Sequence, residues 1–568
     1  MNNKKLLLTS GFILALVVGV IILGGWIAQE TNTQKPDFYF GIEKNLKLFG
    51  KVYEEIATRY VEEVDPEQFM KSGINGMLRT LDPYTTFIDE EDNSELQIMT
   101  TGKYGGVGMR ISKREGWPTV AEPPFEGTPA ARAGIREGDR IIEVDGVVTK
   151  DLTISETAQR LRGDIGTEVN IKIQRVGEEK PLEFRLIRAE IKVSDITYAG
   201  MIDDKIGYIR LGHFSRFAGK QVRDSIAVLK NRGMESLIFD LRGNPGGLLE
   251  SAVQVAENFV KKGDLIVYTK GRASGTSQEY RSQANPIWGD KPLVVLVDKY
   301  SASASEIVAG AIQDLDRGLL VGSPTYGKGL VQTVVPLTRS GTSLKITTAK
   351  YYIPSGRLIQ KPNFINRKEV LLGYDAKRDS SEAESAEFYT ASKRKVHGQG
   401  GVVPDIKVES EEITPLVGNL MMKSMFFNFA LEYASKHKNL SRDFAVDDKM
   451  IADFKAFLKD KKFTYTTEVE ERLQELTKLL KQEKYPEPVI ASLDALKNQV
   501  AKAKEQDFER DLAQIKYNLR GEIAAKLWGT AGKFESEFQE VPEIKKAVEV
   551  LSNQGIYFSL LGTKTDIH

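Results

Sequence analysis

Lys299-Tyr300-Ser301-Ala302-Ser303-Ala304-Ser305-Glu306, taken with Tyr326-Gly327-Lys328-Gly329-Leu330-Val331-Gln332, is the stretch on which the fold turns. The apolar run Pro292–Val297 ahead of it reads as a buried strand, and Glu306–Ile312 behind it has a helical pattern. A strand that enters a helix through a sharp turn of small residues holds a serine oxygen at a helix N-terminus. There, free backbone N–H groups and the helix dipole favour developing negative charge. A nucleophilic serine also needs a base. The chain has no cysteine and four histidines, His213, His397, His437 and His568. Lysine serves as a base when burial lowers its pKa, because desolvation disfavours the ammonium, and Lys328, set between two glycines, is the candidate.

The same residues carry plainer readings. Serines at helix starts are ordinarily caps and turn formers, and a lysine between glycines is ordinarily exposed. Gly322–Gly329 also nearly matches the phosphate loop G-x-x-x-x-G-K-[ST] behind an apolar strand, Gly318–Val321, while Leu237–Asp240 imitates a strand with an acidic magnesium ligand. Gly329 stands where that loop needs a hydroxyl, and nothing else in the chain belongs to a nucleotide site, so the NTPase reading is set aside.

Outward from this stretch, Ser236–Leu241 is a mostly apolar strand of the kind found in a sheet covered on both faces, and it exits through the glycine-rich Arg242–Gly247. Strands alternate with helices, Val222–Lys230 among them, from Ile206 to Leu320, which predicts a parallel sheet built from crossovers. Leu344–Ile353 alternates as a strand, and Gly400–Val408 closes the domain. Residues 366–399 are polar and charged and predict a mobile insertion.

Five blocks, Asp240–Leu248, Ser301–Glu306, Tyr326–Gln332, Ala349–Arg357 and Gly400–Ile406, together resemble the carboxyl-terminal processing peptidases, tail-specific serine proteases with a Ser/Lys dyad. The resemblance spans residues 40 to 408 and implies an α/β, crotonase-like protease core over residues 191–408. It implies that Ser303, the middle serine, is the nucleophile, that Lys328 is the base, and that Gln332 orients the amine through its side-chain carbonyl. It further implies an oxyanion hole from the N–H of Gly246, or of Gly247, with that of Ala304. The mechanism calls for no metal and no cofactor. His213, just after the strand Ile206–Leu211, is the alternative base, and activity would then titrate near ordinary histidine values.

Residues 98–190 are strand-rich and resemble a PDZ domain inserted ahead of the core, on Tyr104–Met109, Gly127–Ile135 and Glu137–Gly146. Successive backbone N–H groups freed by glycine form a nest for a carboxylate, and an exposed strand edge lets a peptide add as a further strand. The resemblance implies that Gly106, Val107, Gly108 and Met109 form the carboxylate-binding loop, with the helix Ile154–Leu161 lining the groove. Arg162 and Arg188 are equal candidates for a contact with the catalytic domain.

Before it, residues 37–97 read as a helical cap, with amphipathic helices over Phe40–Ala57 and after Asp65-Pro66. The turn Leu81–Phe87 resembles the family's Asp-Pro turn and reads as structural, with no chemistry of its own; the resemblance implies that such a cap joins subunits. Residues 1–30 hold a membrane anchor or signal sequence. The uncharged run Leu6–Ala28 follows Lys4-Lys5 and spans about 35 Å as a helix, enough to cross a bilayer, and Trp26-Ile27-Ala28 is a poor cleavage site. It therefore reads as an uncleaved inner-membrane anchor, with the catalytic part in the periplasm of a bacterial cell envelope, or secreted if the segment is removed.

Residues 409–568 carry no chemical motif. Five segments with helical spacing and interleaved Lys and Glu predict a helical domain whose charges are solvated faces. Docking an adaptor, driving homo-oligomerisation and confining substrate are the roles open to it. Lys plus Arg equals Asp plus Glu at 79 each in 568 residues, so no bulk charge points to nucleic acid. The reading is a serine endopeptidase whose partners are proteins or peptides with free, apolar C-termini. The competing reading is a catalytically silent, membrane-anchored PDZ scaffold that binds the same tails.

Overall fold

The computed structural model describes residues 36–338, 341–361, 387–398, 400–409 and 411–562. The expected anchor Leu6–Ala28 and most of the expected insertion lie outside the described residues. Among the described residues no helix is long and apolar enough to cross a membrane.

The chain divides into two compact units, Met1–Arg79 and Thr80–His568. In the first, the helices Pro36–Arg59 and Pro66–Leu78 are tied by Tyr53, whose hydroxyl donates to Pro66 O at 2.7 Å and whose ring stacks on Phe69. Asp65 caps the second helix by accepting from the Glu67 and Gln68 N–H groups, and Pro66 sits where a helix has no N–H to lose.

The second unit is built on a six-stranded sheet. Its order is Ile196–Met201, Ile206–Leu211, Ser236–Asp240, Leu293–Val297, Leu319–Gly322 and Ile406–Lys407. The first pair is antiparallel and every later pair is parallel. The parallel sheet is therefore as the alternation predicts, with an antiparallel edge strand that the sequence reading did not include.

Every residue of Ser236–Asp240, Leu293–Val297 and Leu319–Gly322 is buried, and the period-2 pleat sends them to two separate cores. Leu237, Phe239, Leu293, Val295, Val297 and Leu320 face the helices Ala218–Asn231, Leu249–Ala256 and Ala304–Asp314. Tyr208, Ile238, Val294, Leu296, Leu319 and Val321 face Phe538, Ile544, Ala547, Val550, Leu551 and Tyr557 near the C-terminus. The Tyr557 hydroxyl is bonded to the Leu293 backbone, accepting from its N–H at 3.0 Å.

The C-terminal segment is thus two things. Leu416 to Leu527 packs a core of its own, while Pro542–Ser552 and Gln554–Leu561 cover the second face of the protease sheet. Nine helices lie between Pro415 and Leu561 among the described residues, against the five expected, because short and Gly529-broken pieces do not show at helical periodicity.

A second sheet brings Thr86–Ile88, Leu330–Pro336 and Leu265–Gly271 onto the long strand Ser343–Tyr352, with Glu279–Arg281 beyond. Part of the expected mobile insertion is ordered: Phe388–Tyr389 pairs with Lys395–Val396, and Arg394 is ion-paired to Asp316 and Asp405.

The PDZ-like sheet runs Ile111–Arg114, Trp117–Val120, Arg140–Val144, Glu168–Gln174, Leu182–Ile187. Where the chain enters and leaves it, Lys103–Gly106 pairs with Ala189–Lys192. The helix Ile154–Leu161 is where the spacing predicts it, capped reciprocally by Thr153 and Glu156. This domain also docks on the C-terminal helices: Lys526, nearly buried, pairs with Glu137 and lies 3.9 Å from the Phe427 ring centroid.

Candidate active site

The Ser301–Ser305 turn is stitched down from both sides. Asp298 Oδ1 accepts from the N–H groups of Gly243, Tyr300 and Ser301. Ser301 Oγ donates to Leu241 O at 2.9 Å, and Ser305 Oγ donates to Asn244 O at 2.9 Å. Both outer serines are buried and committed to the backbone. Ser303 is partly exposed, and its hydroxyl sits at the capping-box position over the Glu306 N–H and donates to no carbonyl among the described residues. It caps the helix Ala304–Asp314 at φ +55° and ψ −111°, a conformation that is costly for any residue with a Cβ.

Glu306 holds this conformation. It is fully buried one turn into the helix, and its carboxylate accepts from Ser303 N (2.8 Å), Thr325 Oγ1 (2.5 Å), Gly327 N (2.7 Å) and Lys328 N (2.9 Å). One carboxylate thereby fastens the serine turn to the lysine turn. It also explains the near-match to a phosphate loop: the amides of Gly327 and Lys328 do form an anion cradle, and the anion is the chain's own Glu306. Burial pushes the Glu306 carboxyl up to about 7. Asp240, the would-be magnesium ligand, is buried against Arg242, Arg210 and the Tyr208 hydroxyl.

Lys328 donates from Nζ to Gln332 Oε1 at 3.0 Å, and Nζ lies 4.4 Å from the centroid of the Tyr84 ring. Burial, aided by the nearby Lys345, pulls the amine down from 10.5 to about 8, against the pull of Asp82 and Glu306. No hydrogen bond joins Lys328 Nζ to Ser303 Oγ; such contacts are often long before substrate arrives. Gln332 sits at a register shift in the pairing of Leu330–Pro336 with Ser343–Tyr352, and a bulge of this kind re-aims a side chain. Its amide nitrogen donates to Tyr84 O at 2.6 Å. The buried Tyr351 hydroxyl lies within hydrogen-bond distance of both the Ser303 and the Lys328 carbonyls and shares its one proton between them, a second tie between the two turns.

The turn at Leu81–Phe87 is not the bystander that the sequence suggests. Asp82 Oδ1 accepts from Tyr84 N and Thr85 N, Thr347 N donates to Thr85 Oγ1, and the turn becomes one wall of the lysine site. Its contact with Lys328 spans far too much of the chain for a local pattern to reveal. Glu306, by contrast, stands three residues after Ser303, at capping-box spacing, a readable signal that the sequence reading passed over.

The oxyanion assignment is corrected in part. Gly246 N–H donates to Asn244 Oδ1 at 2.9 Å, so that N–H is already engaged. Gly246 serves by having no side chain: a Cβ there would lie 2.9 Å from both Ala304 N and Ser303 Cβ, and its φ is +101°. Among the described residues the N–H groups of Gly247 and Ala304 have no acceptor. His213 bonds through Nε2 to Met99 O at 3.2 Å, away from the serine.

In the PDZ-like domain, Gly106 ends its strand opposite Ala189, and Val107, Gly108 and Met109 follow with N–H groups that meet no acceptor among the described residues. Of the four positions expected to bind a carboxylate, Val107, Gly108 and Met109 therefore present the N–H groups, and Gly106 lies in the ladder beside them. Gly108 has φ +83° and its absent Cβ would fall on Thr128. Val107, Met109, Ile111, Phe125, Ala158 and Leu161 help line an adjoining cleft of about 480 Å³. Ile111–Arg114 is an edge strand beside it. Arg188 is spent within the domain, on the carbonyls of Arg160, Leu161 and Glu168, and Arg162 lies over the Tyr104 ring.

The class of protein is shown by comparison with known proteins. The family model "Peptidase family S41" matches residues 205–366 and a PDZ domain model matches 124–175. A "Probable PDZ-protease, C-terminal helical domain" model matches 416–551, and an "Activating protease CtpB N-terminal domain" model matches 26–92. A carboxy-terminal-processing protease of Bartonella bacilliformis is 35% identical over 383 residues, 65% of this chain and 86% of that protein. One from Synechocystis is 40% identical over 297 residues, 51% of this chain and 68% of that protein. The solved photosystem II D1 C-terminal processing protease is 28% identical, with 63% of this chain and 86% of that one covered at a TM-score of 0.33. The chain belongs to the carboxyl-terminal processing proteases of peptidase family S41, and it is a serine endopeptidase with a PDZ domain and a C-terminal helical domain.

Proposed function

We propose that this endopeptidase captures free, apolar C-terminal tails of proteins in its PDZ groove and cleaves the chain with Ser303 and Lys328. The observation that carries the reading is the contrast among the three serines: Ser301 and Ser305 donate their hydroxyl protons to buried carbonyls, and Ser303 alone, partly exposed, keeps its proton free of one. Neutral Lys328 takes the Ser303 proton as Oγ attacks the scissile carbonyl. Gln332 Oε1 holds the amine in place. The oxyanion rests on the N–H groups of Gly247 and Ala304. The C–N bond then breaks as Lys328 returns the proton to the leaving amine, and water hydrolyses the Ser303 ester.

Tail capture is supported by the unpaired N–H groups of Val107–Met109 beside an apolar cleft and an open strand edge, which suit a carboxylate, an apolar last side chain and strand addition. Attachment to the inner membrane with the catalytic part in the periplasm belongs to the same proposal and rests on the run Leu6–Ala28 after Lys4-Lys5.

The test compares the full chain in detergent with Ser303→Ala on an unfolded polypeptide ending in free apolar residues and on its C-amidated twin. Ser303-dependent loss of the free-tailed substrate alone supports the proposal. Binding of the tail by both forms with cleavage by neither favours the silent scaffold.

A further inference from the structure

We infer that Tyr84 is a positioning residue for proton transfer: its ring is the face on which the Lys328 ammonium forms, and its carbonyl fixes Gln332. The inference rests on the Ser303/Lys328 reading and deepens it.

During attack on a peptide bond the lysine gains the serine proton. The site must therefore be dry enough to make the neutral amine accessible near neutral pH and still welcome a cation in the transition state. Burial supplies the first requirement and opposes the second. The second needs groups that favour an ammonium without being charged, because a carboxylate in contact would keep the lysine protonated at rest. Two such groups touch Nζ: Gln332 Oε1 at 3.0 Å and the Tyr84 ring at 4.4 Å to its centroid. Both depend on Tyr84, since Gln332 Nε2 donates to Tyr84 O at 2.6 Å, which turns Oε1 toward the lysine.

Tyr84 is in turn held firmly. Asp82 Oδ1 takes the N–H groups of Tyr84 and Thr85, Thr85 Oγ1 accepts from Thr347 N, and Thr86–Ile88 pairs with Ser343–Lys345. The charged groups that act on Lys328 are Lys345, which disfavours the ammonium, and Asp82 and Glu306, which favour it. The Tyr84 hydroxyl interacts with Tyr326 and is kept neutral, chiefly by burial.

The test measures kcat, KM and the pH profile of kcat/KM for the full chain in detergent, using an internally quenched peptide with a free apolar C-terminus. Wild type is compared with Tyr84→Phe, Tyr84→Leu and Lys328→Ala. Tyr84→Phe should keep the wild-type profile. Tyr84→Leu should keep KM, lose about fivefold in kcat and move the acid limb down by about 0.7 pH unit, the loss of one partly buried cation–π contact. A merely structural role would not move the limb. Should the leucine variant misfold, stepwise fluorinated phenylalanines at position 84 weaken the ring's negative face at nearly constant shape and should lower the limb in steps. An unmoved limb and kcat in Tyr84→Leu or across the fluorinated series, with Lys328→Ala inactive, overturns the inference and leaves the dyad standing. Retained activity in Lys328→Ala overturns both.

Discussion

Replacing Lys328 by methionine keeps an unbranched side chain of similar length and removes the amine. The folded amine titrates at about 8 against 10.5 for an ordinary lysine. A folded pKa lowered in this way means that the protonated amine is a burden on the native state. Below pH 8 both folded and unfolded chains carry the proton, and the fold bears the whole penalty. Between pH 8 and 10.5 the folded amine is already neutral while the unfolded one still holds its proton, so stability rises with pH. Above 10.5 the penalty is gone. A shift of this size corresponds to about 3 kcal/mol. Lys328→Met should therefore be the more stable protein at pH 7, by up to about 3 kcal/mol, and should be inactive. The gain should shrink through pH 8–10.5. Paired urea unfolding curves at pH 7, 9 and 10.5, read by tryptophan fluorescence, measure it. A methionine variant less stable than wild type at pH 7, or a gain that does not change with pH, would refute the claim that burial holds this amine near neutrality.

Glu306→Gln keeps the shape but cannot accept from all four donors. The amide nitrogen can face Thr325 Oγ1, which leaves Gly327 N–H without an acceptor, at about 1–3 kcal/mol, and weakens the two remaining bonds. We expect kcat to fall at least tenfold with tail binding intact, as judged by peptide titration. Gly108→Ala forces a Cβ to 2.3 Å from Thr128 Cβ at a φ of +83°, so tail affinity should drop more than tenfold while Ser303 still reacts with a small active-site acylating agent. Ile544→Ala, in the C-terminal segment, opens a cavity under the protease sheet and should lower stability by about 2–5 kcal/mol, seen as an earlier urea midpoint for the whole core.

Much of this was legible in the sequence because the informative residues are close together. The strand, serine turn and helix at Leu293–Asp314 needed only hydrophobic pattern and small residues, and the parallel sheet followed from alternation. Lys328 was a candidate base from the residues themselves, Gln332, four residues on, was named from the resemblance, and the two lie together. What escaped is non-local or is a matter of hydrogen-bond direction. Gly246 looked like an oxyanion donor, yet Asn244 two residues earlier takes its N–H. Tyr84 looked like a turn residue because nothing near it in sequence reveals Lys328. The wholly buried strands demanded cover on both faces, but no local pattern marks Pro542–Leu561 as the second cover, since an amphipathic helix does not name its partner.

The most direct test of the central claim is to locate the acyl group. The full chain would be quenched in acid during turnover of an activated peptide ester with a free apolar tail, then digested and mapped by tandem mass spectrometry. The account predicts the acyl group on Ser303, none on Ser301 or Ser305, and none anywhere in Lys328→Ala. An acyl group on another residue, or turnover with Ser303 replaced by alanine, would contradict it.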